Sequence, residues 1–376
     1  MLVLGECMRY TTDLFVIGGG PAGLATAIAA RERSLRVVVA DGMTPPIDKA
    51  CGEGLLPETL SALRELGVEI RGIDGAPFRG IAFCQPDARA EGDFANGRAL
   101  GVRRSTFHRR MIERAEACGA ELLWQTPVAS LDGHTVRLAC GHSVTARWIV
   151  GADGQQSRVR DWMGAETSLL QRRFAVRRHY RIAPWSNRVE VHWADGVQAY
   201  VTPVAPEEVG VALLASSADD ASFERAVSKF PAIAKHLAGA EITSRERGAV
   251  TAMRTLRTVH RDHIALVGDA SGGVDAITGE GIRLAVRQAS LLVKAISANN
   301  LAYYEREHRR LAVQPRCMGH LLLFLDRHPA VRERAVRALA QRPDLFSRML
   351  AIHTGETTPA AALTAGAALA WRSLLA

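Results

Sequence analysis

The glycine-rich segment at residues 18–23, Gly-Gly-Gly-Pro-Ala-Gly, constrains the fold of this chain more than any other feature. An apolar run at residues 13–17 leads into it and is typical of a buried strand. Residues 21–32 follow, with apolar side chains repeating on one helical face. The segment therefore predicts a strand, a tight turn and a helix, which is how a βαβ unit of a parallel sheet begins.

The spacing of these glycines suits the binding of a dinucleotide. Gly18 permits the turn, Gly20 lets the backbone approach a pyrophosphate, and Gly23 allows the helix to pack closely on the strand. The free N–H groups at the start of the helix, around Ala22, attract an anion. Asp41 ends the next predicted strand and is the acid expected to accept hydrogen bonds from an adenosine ribose, and its charge would repel a 2′-phosphate.

Two further signatures each follow a predicted strand. Residues 151–154, Gly-Ala-Asp-Gly, come after an apolar run that ends at Val150. Residues 268–270, Gly-Asp-Ala, come after the run at residues 264–267, and the loop 279–281, Gly-Glu-Gly, precedes a predicted helix. Three signatures at strand ends describe a site that holds a dinucleotide along its whole length, and the cofactor they predict is FAD.

Composition limits the class of protein. The 376 residues carry a net charge of +8 that is not concentrated in one block. Because no recognition motif accompanies this charge, no nucleic-acid partner is expected, whereas peripheral contact with an anionic membrane surface stays open. The six cysteines form no CxxC pair, so no metal site and no disulfide framework are expected, and a cytoplasmic location fits. No apolar run is long enough to predict a transmembrane segment.

The order of predicted elements divides an α/β chain into three parts. A Rossmann-type FAD-binding domain is predicted where strands and helices alternate, in three stretches: residues 11–75, 100–165 and 255–300. Residues 76–99 and 166–254 hold strand-like runs separated by turns, which predict an antiparallel β-sheet substrate domain. Residues 301–376 are helical in pattern and form a predicted C-terminal helical cap.

The three signatures resemble those of the flavoprotein group that includes the aromatic hydroxylases related to p-hydroxybenzoate hydroxylase and the geranylgeranyl reductases. The resemblance covers residues 13–296 and implies roles for individual residues. Asp153 matches a residue near the pyrophosphate, and Asp269 matches one that hydrogen-bonds the ribityl chain. Gly279, Gly281 and Ile282 match the start of a helix that points at the isoalloxazine, where its N-terminus stabilises the negative charge of reduced flavin.

The same resemblance implies two further contacts to FAD. Arg104 matches an arginine at the start of a helix that contacts the cofactor, with the adjacent Arg103 a near-equal candidate. Val128 matches a backbone contact to adenine, and an ordinary strand valine is the alternative.

The resemblance implies an oxidoreductase and leaves the reaction open. Hydroxylases of this group are reduced by NADPH or NADH and form a flavin hydroperoxide that attacks a small, apolar or aromatic organic substrate. A monooxygenase is favoured because the Tyr-x-Trp-x-Phe-Pro pattern of the prenyl reductases is incomplete at residues 200–203. The alternative is a geranylgeranyl-reductase-like enzyme that reduces carbon–carbon double bonds. A remote alternative, a non-catalytic prenyl-protein-binding module of the same fold, has no need of Asp153 and Asp269.

Cys51 and Tyr200 are the candidate catalytic residues. Cys51 and Gly52 resemble a Cys-Gly pair near the flavin of the geranylgeranyl reductases. A reactive thiol would need a lowered pKa, and Lys49 is the cation nearest to it in the sequence. Tyr200 is a candidate pocket residue and proton donor, with packing in the protein core as its alternative role.

Overall fold

A computed structural model of the protein describes residues 9–95, 97–220 and 222–355. The helices in these ranges are α1 (Pro21–Arg31), α2 (Pro57–Glu65), α3 (Arg104–Ala117), α4 (Arg158–Trp162), α5 (Phe223–Ser228), α6 (Pro231–Leu237), α7 (Gly281–Ser297), α8 (Leu301–Arg327), α9 (Pro329–Ala340) and α10 (Pro343–His353). The strands are β1 (Arg9–Ile17), β2 (Val37–Ala40), β3 (Gly54–Leu55), β4 (Ala76–Phe78), β5 (Gly80–Gln85), β6 (Ala88–Asp93), β7 (Ala99–Gly101), β8 (Glu121–Leu123), β9 (Val128–Asp132), β10 (Thr135–Leu138), β11 (Ser143–Gly151), β12 (Thr167–Arg181), β13 (Val189–Ala194), β14 (Val197–Ala205), β15 (Glu208–Ala215), β16 (Glu241–Ile242), β17 (Arg247–Leu256), β18 (His260–Arg261) and β19 (Ile264–Leu266).

A first sheet has the strand order β18-β19-β11-β1-β2-β8. Strands β1, β2, β8, β11 and β19 run parallel to one another, β18 pairs antiparallel with β19, and the antiparallel hairpin of β9 and β10 extends the first half of β11. Leu14, Phe15 and Val16 of β1 have no exposed surface, as expected for a central parallel strand with both faces covered. Helices α1, α3 and α7 pack on one face, while α4 and the hairpin pack on the other.

The parallel strands of this sheet end in line at one edge. Ile17 of β1 pairs with both Ala40 of β2 and Gly151 of β11, and Gly151 pairs with Leu266 of β19. Each strand is followed directly by one of the sequence signatures or by Asp41. Because the loops at the carboxyl ends of parallel strands share one crevice, this register brings the signatures together. The predicted α/β fold with a Rossmann-type domain is confirmed.

A second sheet has the order β16-β12-β15-β14-β13-β5-β6, with β17 beside β12. Its pairs are antiparallel, as predicted, except that β13 runs parallel to β5. A three-stranded sheet of β3, β7 and β4 lies against β14, where the Cβ of a residue replacing Gly101 would overlap the carbonyl oxygen of Pro203. The second sheet therefore joins residues 80–93 to residues 167–256, two segments far apart in the sequence.

Helices α8, α9 and α10 follow the second sheet and cover part of it. Phe346 of α10 stacks against Phe83 of β5, with ring centroids 4.6 Å apart, and Val336 and Leu339 of α9 join the same apolar cluster. The rest of the predicted cap, residues 356–376, lies outside the described residues.

A search of the described helices finds none that combines the length and the apolarity needed to cross a bilayer. The division of the chain into three domains stays a prediction.

Candidate functional site

One cavity of about 1140 Å³ connects the carboxyl edge of the first sheet with the inner face of the second. Its walls include the predicted cofactor residues Gly18, Gly20, Ala22, Asp41, Arg104, Val128, Asp153, Asp269, Gly279, Gly281 and Ile282, together with the predicted catalytic residues Cys51 and Tyr200. Gly23 is buried behind them, where a Cβ would overlap the carbonyl oxygen of Gly18. The fold thus brings all predicted site residues to one place.

The glycine turn leaves free donors and free space at the cavity wall. Helix α1 begins without a side-chain cap, and its first internal hydrogen bond runs from the Leu24 N–H to the Gly20 carbonyl, so the N–H groups of Ala22 and Gly23 precede it. A Cβ added at Gly20 would meet no protein atom within 4 Å, although the residue lines the cavity. Such a bare backbone at a helix N-terminus is what a pyrophosphate requires.

Two aspartates at this edge, Asp41 and Asp153, differ in how many of their carboxylate oxygens accept hydrogen bonds from the protein. Asp41 accepts the N–H of Gly19 at 2.7 Å with one oxygen and the N–H of Met43 at 2.8 Å with the other. Asp153 accepts the N–H of Arg158 at 2.7 Å with Oδ2, and so caps α4. Its Oδ1 is buried and has no hydrogen-bond partner among the described residues. A buried acceptor without a partner is costly, and a ligand that donates a hydrogen bond would satisfy it.

The two adjacent arginines point to different parts of the molecule. Arg103 forms hydrogen bonds to Glu208 and, at 2.8 Å, to the hydroxyl of Thr243. Arg104 is buried at the cavity wall, and no carboxylate of the described residues lies within ion-pair distance of its guanidinium. Burial lowers the pKa of Arg104, and the negative charge around it only partly opposes this. Of the two candidates, Arg104 is the one placed to contact an anionic ligand in the cavity.

The third signature and Val128 both line the cavity. Gly279 adopts a left-handed φ of 69° and places Gly281 at the start of α7, which has no side-chain cap. The N–H groups of Gly281 and Ile282 therefore face the cavity without helical partners. The carbonyl of Val128 accepts a hydrogen bond from Arg158 at 3.1 Å, and its second lone pair is left for a further donor.

Cys51 lies at the cavity wall in a setting that keeps its thiol protonated. Burial raises the pKa of Cys51, and the positive charge of Arg104 opposes the shift without reversing it. The sulfur accepts the N–H of Glu53 at 3.3 Å. A reactive thiolate requires a lowered pKa, so the geometry favours a neutral Cys51 and argues against a nucleophile.

Tyr200 presents its hydroxyl to the cavity between the second sheet and the third signature. The hydroxyl donates to Gln198 Oε1 at 3.1 Å and lies 3.5 Å from the carbonyl oxygen of Ile277. Burial raises the pKa of Tyr200, so the phenol keeps its proton at neutral pH. Gln198 in turn donates to Asp326 of α8 at 2.8 Å, which links this tyrosine to the C-terminal helices.

Sequence reasoning did not find a buried cluster beneath Cys51. Glu53 accepts the backbone N–H of Arg104 at 2.8 Å, and its other oxygen lies 2.6 Å from Nε2 of His179. Arg177 pairs with Asp48 and lies 3.8 Å from Glu53. The signal in the sequence is the spacing of the basic residues at 173, 177 and 179, which places them on one face of a strand. Their acidic partners come from loops far away in the sequence and could not be assigned from it.

A second group of polar side chains lies between β5 and β13. The ligand atoms of Cys84, Glu190 and His192 lie within 4.8 Å of one another, a grouping that the sequence did not predict. Arg89 donates to Glu190 at 2.6 Å and to the sulfur of Cys84 at 3.3 Å. The guanidinium therefore occupies the position from which a cation would neutralise Glu190.

A titratable side chain of α3, His108, contacts the glycine turn. Nε2 of His108 lies 2.8 Å from the carbonyl oxygen of Gly19, and Nδ1 accepts the N–H of Ile47 at 3.2 Å. Burial lowers the pKa of His108 from 6.5 to about 4. Between these values the unfolded chain binds a proton that the folded protein does not, so the free energy of unfolding falls as the pH decreases through this window. The loss amounts to about 3 kcal/mol.

Urea unfolding at a series of pH values measures this loss. In the variant His108→Gln, the amide can donate to Gly19 and accept from Ile47 without titrating. We expect the variant to lose less stability than the wild type as the pH falls from 6.5 to about 4. An equal loss in both proteins would show that other groups cause the acid sensitivity.

The residues of this cavity fit FAD. Two helix N-termini, the unpaired guanidinium of Arg104 and the orphaned Oδ1 of Asp153 offer donors and an acceptor to a dinucleotide. A family model described as FAD binding domain matches residues 11–303. The chain belongs to this family. This FAD-binding protein is an FAD-dependent oxidoreductase of the superfamily that includes p-hydroxybenzoate hydroxylase and the geranylgeranyl reductases.

Curated relatives of this flavoprotein catalyse different reactions. It is 25% identical over 320 residues to the menaquinone reductase of Mycobacterium tuberculosis, covering 78% of each chain. It is 26% identical to the digeranylgeranylglycerophospholipid reductase of Methanosarcina mazei, covering 80% of this chain and 79% of the relative. The rifampicin monooxygenase of Streptomyces venezuelae is 32% identical over 163 residues, which covers 40% of this chain and 34% of the relative.

Solved structures confirm the fold of the flavoprotein. The flavoprotein/dehydrogenase from Cytophaga hutchinsonii superposes with a TM-score of 0.78 at 18% identity, covering 92% of this chain and 93% of that one. A geranylgeranyl bacteriochlorophyll reductase-like protein from Thermoplasma acidophilum gives a TM-score of 0.69 at 19% identity, covering 95% and 96%. At these identities the likeness concerns the fold alone.

Proposed function

We propose that this flavoprotein reduces carbon–carbon double bonds in a long, apolar, isoprenoid-type substrate, with NADPH or NADH as the source of electrons. The proposal rests on one observation: apart from the predicted flavin-binding residues, the cavity is lined mainly by apolar side chains. The side chains from the second sheet are Ile81, Phe83, Val189, Val191 and Trp193. Those from the C-terminal helices are Met318, Leu322, Leu325, Val336, Leu339, Phe346, Met349 and Leu350.

Such a wall selects its ligand by shape and apolarity. It offers few hydrogen-bonding groups to a polar ring, whereas each buried methylene of a hydrocarbon chain contributes about 0.8 kcal/mol to binding. The two curated relatives that match over more than three quarters of this chain are named as reductases of menaquinone and of a digeranylgeranyl lipid, which supports this substrate class.

In such a reaction different residues of the chain would exclude water and donate the proton. Bound FAD, once reduced by NADPH or NADH, would supply the hydride, and the apolar wall would exclude water from the double bond. The raised pKa of Tyr200 keeps a proton on its hydroxyl, which faces the cavity and is oriented by Gln198. Tyr200 would give that proton to the substrate carbon, and Cys51 in its neutral form is a second candidate donor at the cavity wall.

Anaerobic turnover tests the reaction type. The holoprotein is incubated in the absence of oxygen with a nicotinamide nucleotide, NADPH or NADH, and a substrate, either a menaquinone or a geranylgeranyl lipid. The mass of the product is then measured by mass spectrometry. The sample is reoxidised in air before analysis, which returns any menaquinol to menaquinone, so that a product heavier by two hydrogens reports a reduced carbon–carbon double bond. Tyr200→Phe is expected to slow this step by about 100-fold, the usual contribution of a general acid, while reduction of the bound flavin by the nucleotide stays unchanged. Tyr303→Phe, a substitution outside the cavity, is the matched control.

Monooxygenation of an apolar or aromatic substrate is the second candidate. The observation in its favour is the higher identity, 32%, to part of the rifampicin monooxygenase. A monooxygenase gives no product without oxygen, and with oxygen its product is heavier by one oxygen atom. The same pair of reactions, run with and without oxygen, therefore separates the two candidates.

A further inference from the structure

Helix α8 carries an apolar stripe on its exposed side. Val313, Cys317, Leu321 and Phe324 are exposed and recur every three or four residues, so they share one face of the helix. Phe324 is 47% exposed and Leu321 is 39% exposed. Large apolar side chains gathered on one face are unusual on a protein surface and mark an interaction site more often than scattered ones do.

This stripe is continuous with the cavity. Leu321 and Phe324 are exposed and also line the cavity, and so does Val331 in the first turn of α9. Leu322 and Leu325, on neighbouring positions of α8, continue the wall inward. Apolar side chains of α8 and α9 therefore lie both on the outside of the molecule and along the cavity wall, which Arg332 and Arg334 also line.

A pair of exposed leucines extends the stripe onto the second sheet. Arg327, at the end of α8, donates to Gln171 of β12 at 2.7 Å and fastens the two elements side by side. Leu169 and Leu170 directly precede Gln171 and are both exposed. We call Leu321, Phe324 and Val331, which line the cavity, together with Leu169 and Leu170, which precede Gln171, the apolar rim.

Exposed basic side chains lie close to the rim residues in the sequence. Arg172, Arg327, Arg334 and Arg337 are exposed. Between residues 320 and 340 the acids are Glu333, which is exposed and pairs with Arg337 at 4.0 Å, and Asp326, which is turned inward to Arg173. An apolar surface flanked by arginines is complementary to the interface of an anionic lipid bilayer, where apolar side chains enter the acyl region and each arginine near the headgroups contributes about 1 kcal/mol.

We propose that the apolar rim docks this flavoprotein on an anionic lipid bilayer, with the mouth of the cavity facing the lipid. Docking of this kind would let an apolar substrate move from the bilayer into the cavity without crossing water. The transfer of substrate from the bilayer rests on the proposed function, whereas docking of the protein on the bilayer does not. The test therefore measures docking without any substrate or turnover.

Flotation of the FAD-loaded, full-length protein with vesicles is the experiment. We expect it to float with vesicles of phosphatidylcholine and phosphatidylglycerol, and to float less with phosphatidylcholine alone or at high salt. The double variant Leu321→Gln/Phe324→Gln should bind about tenfold or more weakly, because two side chains no longer enter the acyl region. Ile73→Gln changes a large apolar side chain that lies outside the rim and is 83% exposed, and this variant should bind like the wild type.

A label at Cys317 tests the orientation and does not require the double variant to fold. An environment-sensitive fluorophore is placed on Cys317 with Cys7 and Cys140 replaced by Ser, and the control carries it on Cys140, which is also exposed, with Cys7 and Cys317 replaced. Anionic vesicles should shift the emission of the Cys317 label to the blue and leave that of the Cys140 label unchanged. Absence of binding to anionic vesicles, binding that is unchanged in the rim variant, or equal shifts of the two labels would overturn the proposal. Binding that is lost on replacing Leu374 and Leu375 by Gln, and kept in the rim variant, would assign the contact to the chain end instead.

Discussion

The variants Gly20→Ala and Gly23→Ala are expected to fail in different ways, although they change neighbouring glycines of one turn. Gly20→Ala should fold normally and bind FAD at least about tenfold more weakly, a loss of about 1.4 kcal/mol or more. Gly23→Ala should lose about 3 kcal/mol or more of folding free energy, because a methyl group is forced against backbone.

The difference follows from what each new Cβ would meet. At Gly20 the backbone has φ −72° and ψ −177°, which alanine adopts without strain, and no protein atom lies within 4 Å of the added carbon. The apoprotein should even gain slightly, since alanine restricts the unfolded chain. At Gly23 the added carbon would overlap the carbonyl oxygen of Gly18. The gain of about 1 kcal/mol in helix propensity is too small to offset that overlap.

Urea unfolding of the apoproteins and titration with FAD, followed by flavin fluorescence, measure both quantities. Gly72→Ala is the matched control, because its Cβ also meets nothing within 4 Å and the residue does not line the cavity. If Gly20→Ala binds FAD as tightly as the control does, the pyrophosphate does not lie against this turn. That outcome would contradict the placement of the cofactor.

The second large effect is expected at Arg173, which holds three parts of the protein together. Arg173 lies on β12 and has no exposed side-chain surface. Its guanidinium is 3.4 Å from Asp275, in the loop before α7, and 3.7 Å from Asp326, near the end of α8. Asp275 also accepts the N–H of Ile277 at 3.0 Å and so shapes the loop that precedes Gly279.

Replacing Arg173 by Leu leaves two buried carboxylates without their cation. We expect the free energy of unfolding at neutral pH to fall by about 3–5 kcal/mol, the usual effect of breaking a buried ion pair from one side. The absorption spectrum of the bound flavin should also change, because the loop at Asp275 loses its anchor. The further substitution Asp326→Asn in this background should recover part of the stability, since one uncompensated charge is removed.

Arg36→Leu provides the control for the loss of an arginine from an ion pair. Arg36 and Asp13 are 3.0 Å apart at the surface, where solvent screens their attraction. This substitution should lower the free energy of unfolding by no more than about 1 kcal/mol. A comparable loss in both variants would show that burial does not distinguish the two pairs, contrary to the structure.

Residue order alone was enough to predict the half of the molecule that holds the cofactor. A strand, a glycine turn and a helix are local features, and the run before Gly18 has few alternatives to a buried parallel strand. Once three such runs are placed in one sheet, the position of the loops that follow them is fixed by the rule that parallel strands open onto a common edge. Gly18, Asp153 and Asp269 therefore meet in one crevice, and FAD could be predicted before any distance was known.

The tertiary structure alone decided the surroundings of the candidate catalytic residues. Lys49 is the cation nearest to Cys51 in the sequence. In the folded protein the positive charges of Arg104 and Arg177 act on the Cys51 thiol and lower its pKa. Burial outweighs both charges, so the pKa of Cys51 is raised. The parallel pairing of β13 with β5 joins strands about 100 residues apart, and no local pattern specifies such a partner.

The sequence by itself thus determined the fold class, the cofactor and the residues that line its binding edge. Tertiary structure decided which buried charges are paired, how the helices from Leu301 onward close the cavity, and that Leu321 and Phe324 face both the cavity and the solvent. The physical reason is the range of the interactions. Backbone geometry, glycine conformation and helix N-termini act over a few neighbouring residues, whereas burial, ion pairing and the shape of a cavity depend on side chains that meet only after the chain has folded.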